Sequence, residues 1–347
     1  MTDIGFVGAG AGAAAAAFVV DGALPDADLT VLEKSGGLCG RAATRRHGDL
    51  TYDYGANYVK AANDRVNELL TDTLDDEGLV GVTEPIYTFD RTGEVSPGRE
   101  PEEAKWSYEQ GLTQLAKRLF GRTDADIHRR TRVETMRYDA DVETWTLVDD
   151  EGVDHGPFDA VVLNPPAPQT AELLGGADWD DPAREALVEA LQTVEFRTIW
   201  TAVLRYPFAL DVPYYGLVNT DKDHPVGWIS REECKGGHVP AGETLLVVQA
   251  NQEWSVEHYD DEPAENVAAL ADYTADIVGD ARLADPVWAD HQGWRYALTE
   301  GEVLQGPVDS ARAAGLYCTG DWVVGEARVH AALANGLDVG EQLVDGL

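Results

Sequence analysis

Glycines near the N-terminus and one later carboxylate have the types and spacing that bind a dinucleotide. Gly8, Gly10 and Ala13 follow the apolar run 3–7 and match the pattern G-x-G-x-x-G/A. Gly8 permits a tight turn, Gly10 lets the backbone approach a pyrophosphate, and the small Ala13 lets a helix pack closely on a strand. Glu33 ends the next apolar run, 25 positions after Gly8, where a carboxylate accepts hydrogen bonds from a ribose. An acid at this place favours an unphosphorylated ribose, as in FAD or NAD.

Two further motifs favour FAD over NAD. The segment GRAATRR starts at Gly40, and such a glycine-arginine signature after the ribose acid is typical of flavoproteins, with Arg41 near the pyrophosphate. Far along the chain, GDWVVGEARV contains Gly320 and Asp321 after a short apolar run. We expect Asp321 to contact the ribityl-phosphate part, and a helix starting near 326 or 327 to direct its positive dipole end at the flavin. Motifs at both ends of the chain imply that distant segments close around one cofactor.

A third segment, YDYGANYVK at 52–60, lies between these motifs. Gly55 and Ala56 would allow the backbone to lie against a flat ring, and Asn57 would offer hydrogen bonds near it. The alternatives are structural: an ordinary turn here, an exposed basic loop at GRAATRR, and a plain β-α unit at the C-terminus.

Composition and charge exclude several classes of function. The chain has 347 residues, of which 44% are hydrophobic, so it can bury a large core and form two domains, or one large α/β unit with an insertion. It has 26 Lys and Arg against 63 Asp and Glu, a net charge of −37. Such a protein repels nucleic acid and anionic membrane surfaces. Excess carboxylate with little lysine predicts a halophilic source, where salt screens self-repulsion; the alternative is an ordinary acidic cytosolic protein.

Cysteine and histidine give little support to disulfides or metals. The three cysteines at 39, 234 and 318 form no CxxC, and the eight histidines form no HxH or HExxH arrangement. This pattern favours a reducing cytoplasm and predicts no metal site.

The pattern of apolar runs predicts an α/β protein in which a Rossmann-like FAD-binding domain carries a second, mostly antiparallel-sheet substrate domain. A β-α-β unit is predicted from a strand at 3–7, a helix at 13–22 and a strand at 28–33. Residues 158–174 are predicted to form a further β-α element. The other predicted strands are 142–149, 198–206, 214–219, 226–230, 243–250 and 316–319, and the other predicted helices are 109–120, 262–278 and the C-terminal segment. The FAD-binding domain is expected at 1–62, 110–180 and 300–347, and the substrate domain at 63–109 and 181–299.

The sequence resembles the renalase-type FAD-dependent oxidoreductases, within the amine oxidase/p-hydroxybenzoate hydroxylase-like flavoproteins, over nearly the whole chain. The segments that carry the resemblance are VGAGAGA, LEKS, GRAATRR, GANYV, GWISREECKGG (227–237), QANQEWSVEHYDDEP (249–263), WRYAL (294–298) and CTGDWVVGEARVHAAL (318–333). The chain departs from the pattern at Cys39, where a second glycine is usual, at Gln292-Gly293, where relatives are shorter, and at His330, where an acid is usual.

The resemblance implies noncovalent FAD and a small-molecule substrate. Family members take a hydride from a dihydronicotinamide dinucleotide on flavin N5, renalase-like ones from isomeric NAD(P)H forms, and pass electrons to O2. The residues expected at the cofactor are Gly8, Gly10, Gly12, Ala13, Glu33, Lys34, Gly40, Arg41, Gly55, Ala56, Asn57, Val133, Gly320, Asp321, Arg328 and Val329.

The substrate side is predicted from aromatic and basic residues. Trp228, Trp294 and Tyr296 could form aromatic walls, with core packing as the alternative. Arg231 and Arg295 could pair with substrate phosphate, with an internal salt bridge as the alternative. Asn57 and His330 are expected at the flavin edge, and His330 could also be a polar helix residue. Two other functions stay open: an amine, carotenoid or porphyrinogen oxidoreductase, and a non-catalytic dinucleotide sensor that binds partner proteins.

Overall fold

The computed structural model describes residues 2–99 and 103–347. Strands and helices alternate over both ends of the chain. The strands are β1 (Asp3–Val7), β2 (Asp28–Glu33), β3 (Thr44–His47), β4 (Leu50–Asp53), β5 (Val59–Lys60), β6 (Leu79–Gly81), β7 (Ile86–Phe89), β8 (Val95–Ser96), β9 (Lys105–Tyr108), β10 (Asp126–Arg129), β11 (Val133–Asp139), β12 (Thr144–Asp149), β13 (Asp154–Phe158), β14 (Ala160–Leu163), β15 (Glu195–Tyr206), β16 (Gly216–Asn219), β17 (Val226–Arg231), β18 (Thr244–Ala250), β19 (Trp288–Glu300) and β20 (Leu316–Cys318). The α-helices are α1 (Ala11–Ala23), α2 (Asp64–Glu68), α3 (Gln114–Phe120), α4 (Ala167–Gly175), α5 (Pro182–Gln192), α6 (Gln252–Glu257), α7 (Pro263–Val278), α8 (Gln305–Ala311), α9 (Asp321–Val324) and α10 (Val329–Gly346).

A five-stranded parallel sheet has the order β10-β2-β1-β14-β20. Val7 at the end of β1 is in register with Leu32 of β2 and Leu163 of β14. The carboxyl ends of three strands therefore meet at one edge, which is where such sheets bind ligands. This arrangement confirms the predicted Rossmann-like domain and both of its predicted β-α elements.

Small residues bring the two ends of the chain together on this sheet. Ala13 to Ala17 in α1 are fully buried, and α10 packs directly on α1. A β-carbon on Gly336 of α10 would lie 2.2 Å from the Gly12 carbonyl oxygen, and one on Gly340 would lie 2.7 Å from the Val19 side chain. Only glycine allows this close approach, so the packing of α10 carries the C-terminal motif to the N-terminal glycine turn.

A seven-stranded sheet with the order β19-β15-β18-β17-β16-β7-β8 faces the parallel sheet across a cleft. Its strands pair antiparallel except β7 and β16, which run parallel. The predicted antiparallel sheet is therefore confirmed. Its edge strand β19, over 13 residues, was not predicted because most of its side chains are half-buried and show no clean alternation.

Two predicted helices begin later than expected, each because of a glycine. The segment predicted as helix 109–120 turns at Gly111, which has φ +80° and lies three residues after the end of β9, so α3 starts only at Gln114. The C-terminal segment first forms the short α9, which ends at Gly325 with φ +69°. The long helix α10 therefore starts at Val329 and not near 326.

None of the helices within the described residues combines the length and apolar character needed to cross a membrane.

Candidate active site

A cleft of about 1880 Å³ lies between the carboxyl edge of the parallel sheet and the seven-stranded sheet. It exceeds the roughly 300–1,000 Å³ of a typical small-molecule pocket. Most predicted site residues line it: Gly8, Gly10, Gly12, Glu33, Lys34, Gly40, Arg41, Gly55, Ala56, Asn57, Val133, Trp228, Trp294, Arg295, Tyr296, Gly320, Asp321, Arg328 and Val329. Residues more than 300 positions apart thus meet in one space.

Asn164 fixes the glycine turn. Gly8 has φ +91°, a conformation that favours glycine, and the turn continues to Gly10, whose N–H donates to Oδ1 of Asn164 at 2.9 Å. The other end of the Asn164 amide donates to the Thr319 carbonyl at 3.0 Å. Asn164 therefore ties the turn to the strand end before Gly320. Sequence reasoning missed this residue, although its place directly after the buried run of β14 is a usable signal.

Glu33 closes the same turn from the second strand. Its buried carboxylate accepts the Ala9 N–H at 2.8 Å and the Ser35 N–H at 2.7 Å. An ionised carboxylate offers about four acceptor positions, so both oxygens still have capacity for ribose hydroxyls. The adjacent Lys34 donates to the side-chain oxygen of Gln169 at 3.2 Å.

Arg41 and Asp321 form an ion pair across the cleft. The guanidinium donates two hydrogen bonds to the carboxylate, one of them 3.1 Å long, and a third to the Ala297 carbonyl at 3.1 Å. Arg41 thus joins the N-terminal motif, the C-terminal motif and β19. Just before it, Cys39 has φ +78°, which explains why a glycine is the usual residue at that position.

Gly55 is required by a close backbone approach. A β-carbon there would lie 2.2 Å from the Arg41 carbonyl oxygen and 3.1 Å from the Trp294 ring. Ala56 donates its N–H to that same carbonyl at 2.9 Å. Asn57 is buried and donates its amide to the Asp53 carbonyl at 3.1 Å. Residues 54–58 follow the β3–β4 hairpin and all line the cleft, and we name them the hairpin wall.

Aromatic side chains form two walls. Trp294 stacks on Tyr54 with ring centroids 5.2 Å apart and donates its indole N–H to the Tyr54 carbonyl at 3.2 Å. In the second wall, Trp228 packs against Tyr58, with ring centroids 6.5 Å apart. Tyr296 meets the edge of Phe196 at 5.7 Å. Tyr54 and Tyr58 were not among the predicted residues, although both belong to the segment YDYGANYVK.

The cleft gathers positive charge in a strongly acidic protein. Eleven of the 26 Lys and Arg line it, against six carboxylates. Only Arg41, Arg45 and Arg197 of these cations pair with a carboxylate within the described residues. The others are Lys34, Arg46, Lys117, Arg129, Arg132, Lys222, Arg295 and Arg328. Burial lowers the pKa of Lys117, and the nearby Arg46 and Arg129 lower it further, which is the effect of like charges held close together.

Arg231 and His330 do not lie where they were expected. The Arg231 guanidinium donates to the carbonyls of residues 210, 212 and 214 and to the Glu233 carboxylate. Arg231 therefore belongs to an internal salt bridge outside the cleft lining. This was the alternative interpretation of the residue. His330 binds Glu326 at 3.0 Å, outside the cleft lining, and burial lowers its pKa. Ala13 also stays off the cleft, buried in α1.

The residues of the cleft fit FAD. Gly10 and Gly12 keep the turn tight against the protein, since a β-carbon on Gly10 would lie 2.3 Å from Asn164 and one on Gly12 would lie 2.8 Å from Thr319. The cleft also offers the Glu33 carboxylate for a ribose, cations for a pyrophosphate and aromatic walls for a flat ring. Burial raises the pKa of the Cys39 and Cys318 thiols to about 12. Both therefore remain protonated, which agrees with a noncovalent cofactor.

Solved structures share this fold over the full chain. A provisionally assigned protoporphyrinogen oxidase from Exiguobacterium sp. 255-15 is 16% identical with a TM-score of 0.82, covering 100% of this chain and 99% of that one. Wild-type putrescine oxidase bound to putrescine is 12% identical with a TM-score of 0.76, covering 99% of each chain. Cyclohexylamine oxidase from Brevibacterium oxydans IH-35A is 13% identical with a TM-score of 0.72, covering 99% of each chain.

Two family models match the sequence itself. An NAD(P)-binding Rossmann-like domain matches residues 7–73, and a flavin containing amine oxidoreductase matches residues 99–344. The second match spans more than half of the chain and includes three of the five strands of the parallel sheet and five of the seven strands of the other sheet. The chain therefore belongs to the flavin-containing amine oxidoreductase family and is an FAD-dependent oxidoreductase.

Proposed function

We propose that the enzyme oxidises a dihydronicotinamide dinucleotide, including an isomeric NAD(P)H, by hydride transfer to flavin N5, and that O2 then accepts the electrons. The observation that carries this proposal is the cationic cleft. Eight cleft cations have no carboxylate partner within the described residues. FAD has one pyrophosphate, so positive charge remains for a second anionic ligand, whose phosphates the net charge of −37 would otherwise repel.

We assign Arg295 to the donor's phosphates, and we assign Arg328 to them as well, although the resemblance placed Arg328 at the FAD. Arg295 lies with its guanidinium 4.5 Å from the centre of the Tyr259 ring, which orients it without neutralising it. Arg328 is the N-cap residue of α10, and its guanidinium donates to the neighbouring Ala327 carbonyl and pairs with no carboxylate among the described residues. Both guanidinium groups keep donors for phosphate oxygens.

The aromatic walls supply orientation. Trp228 packs against Tyr58 and Trp294 stacks on Tyr54, and all four side chains belong to residues that line the cleft. Bound FAD supplies the two-electron acceptor, and hydride transfer requires a stacked, aligned donor more than a proton-abstracting side chain. No histidine lines the cleft within the described residues. Amine oxidation, in contrast, starts from a deprotonated amine.

The proposal fixes a stoichiometry that can be measured. Each dihydronicotinamide gives up a hydride, and with one further proton each O2 becomes one H2O2. Oxygen uptake, peroxide formation and loss of the dihydronicotinamide absorbance should therefore be equal in amount. Peroxide formed from putrescine or cyclohexylamine, with none from any dihydronicotinamide isomer, would overturn the proposal.

A porphyrinogen oxidase is the second candidate. Porphyrinogens carry carboxylates, so the same unpaired cleft cations would attract them, and the cleft volume of about 1880 Å³ is large enough for such a ring. One similar structure is a provisionally assigned protoporphyrinogen oxidase. Oxidation of a porphyrinogen followed by its fluorescent product separates the two candidates.

We further propose that the enzyme works in the cytoplasm of a halophile. Eleven of its 26 cations lie in the cleft, so the remaining surface is more acidic than the net charge alone suggests. Concentrated salt would screen the repulsion among those carboxylates.

A further inference from the structure

Four charged or polar side chains form a buried cluster behind the hairpin wall. The side chains of Asp53, Glu232, Lys235 and His238 have no solvent exposure. The Lys235 ammonium lies 2.9 Å from Asp53 and 2.8 Å from Glu232, and Nδ1 of His238 lies 2.9 Å from Glu232. We name these residues the buried quartet.

Hydrogen bonding makes the buried quartet electrically neutral. Nε2 of His238 lies 2.9 Å from the Tyr108 carbonyl, so both ring nitrogens face oxygens that accept. Each of these two hydrogen bonds needs one proton, so His238 and Glu232 share a proton in the bond between them and have no net charge as a pair. The Lys235 ammonium then balances the Asp53 carboxylate.

The pKa values of two members agree with this ionised arrangement. Burial alone raises the pKa of Asp53, but Lys235, His238 and the hydrogen bonds from Thr44 and Leu112 bring it below its usual range. Burial alone lowers the pKa of Lys235, and Asp53 and Glu232 raise it above its usual range. Asp53, Glu232 and His238 have the geometry of a metal-ligand group, but the Lys235 ammonium already fills the cation position between the two carboxylates.

The buried quartet joins the hairpin wall to the substrate sheet. Asp53 ends β4, one residue before the wall, and its carbonyl accepts the Asn57 amide at 3.1 Å. Its backbone N–H donates to Glu232 at 3.0 Å, directly after β17, the strand that carries Trp228. Burial raises the pKa of Tyr58, a cleft-lining residue of the wall, and the positive charges of Arg328, Lys60 and Lys235 partly offset that rise.

We propose that the buried quartet is a positioning device that holds the hairpin wall against the flavin, and that its charge balance keeps it from shifting the reduction potential of the bound FAD. Stability alone does not explain the quartet, because well-packed apolar residues often replace a buried ionic cluster without loss of stability. A net charge on the quartet would shift the reduction potential of a flavin that lies against the wall, because the protein interior screens charge weakly. The proposal rests on the expected contact between wall and flavin, not on the identity of the electron donor.

Opposite charge changes test the proposal. Lys235→Met leaves one uncompensated negative charge and should lower the FAD midpoint potential, because added electrons meet repulsion. Asp53→Asn leaves one positive charge and should raise it. The double variant Asp53→Asn/Lys235→Met restores neutrality and should return the potential to the wild-type value. The measurement is spectroelectrochemical titration of the FAD-loaded protein, which needs no donor.

The control and the contrary results are specific. Arg205→Met breaks the Arg205–Glu243 pair, which lies outside the cleft lining, and should leave the potential unchanged. Equal or same-signed shifts in the two single variants would reduce the quartet to a structural role and overturn the proposal. If the single variants do not fold, the test uses the neutral double variant alone. A midpoint potential that differs from the wild-type value would then contradict the proposal. Failure of the double variant to retain FAD would also contradict it.

Discussion

Asn164 and Gly10 are in direct contact: the Asn164 side-chain oxygen accepts the Gly10 N–H at 2.9 Å and lies 2.3 Å from the place of a Gly10 β-carbon. The second glycine of the motif is thus required by another group of the protein itself. Asn164 in turn binds the Thr319 carbonyl, so this contact sets the distance between the two halves of the FAD site.

We expect Gly10→Ala to weaken FAD binding by at least about tenfold, because the methyl group must displace Asn164 and spoil the turn, a loss of ~1.4 kcal/mol or more. FAD fluorescence quenching on titration of the FAD-free protein measures this. The control is Gly22→Ala in the same helix, where a β-carbon meets nothing within 4 Å. Equal affinities for Gly10→Ala and wild type would contradict the assigned contact.

Glu33→Ala should also weaken FAD retention. The ribose loses a charged acceptor, and the Ala9 and Ser35 N–H groups lose theirs, so we expect a cost of about 1.5–3 kcal/mol. Equilibrium dialysis of the yellow protein gives the dissociation constant. Glu33→Gln, which keeps one acceptor oxygen, should fall between the two, and an unchanged constant for Glu33→Ala would contradict the ribose contact.

Arg295→Ala should raise the concentration of dihydronicotinamide dinucleotide that gives half-maximal flavin reduction and leave the limiting rate nearly unchanged. A phosphate contact binds ground state and transition state alike, so its loss affects binding and not the chemical step. Arg122, an exposed arginine outside the cleft lining, provides the matched control Arg122→Ala. A large fall in the limiting rate with unchanged half-saturation would assign Arg295 to a different role.

The melting temperature should rise steeply with salt. The net charge of −37 repels itself, and ~1 M salt shortens the range of that repulsion to about 3 Å. Thermal melts monitored by circular dichroism in low and in molar KCl test this. A midpoint that is unchanged or falls in molar KCl would contradict the halophile proposal.

The sequence predicted the parts of the site whose signals are local. The glycine turn, Glu33, Arg41 and Asp321 each lie in a short motif with a recognisable neighbour, and the structure brings them into one cleft. The four predicted strands of the antiparallel sheet were likewise visible as separate β-branched and aromatic runs.

The parts of the site that the sequence did not predict depend on contacts between distant segments. Asp53 and Lys235 are 182 positions apart, and neither stands in a pattern that announces an ion pair. Arg231 shows the reverse: its type suggested a phosphate ligand, but three backbone carbonyls and Glu233 use its donors. An arginine's role depends on what surrounds its guanidinium, which a single sequence does not reveal.

Stopped-flow mixing under argon tests the central claim most directly, because it follows flavin reduction without any acceptor. The FAD-loaded protein is mixed with NADH, NADPH and their isomeric forms, and separately with putrescine, cyclohexylamine and a porphyrinogen. We predict that at least one dihydronicotinamide dinucleotide bleaches the visible flavin band faster than every amine and the porphyrinogen. Rapid bleaching by an amine or the porphyrinogen, with no response to any dihydronicotinamide isomer, would contradict the account.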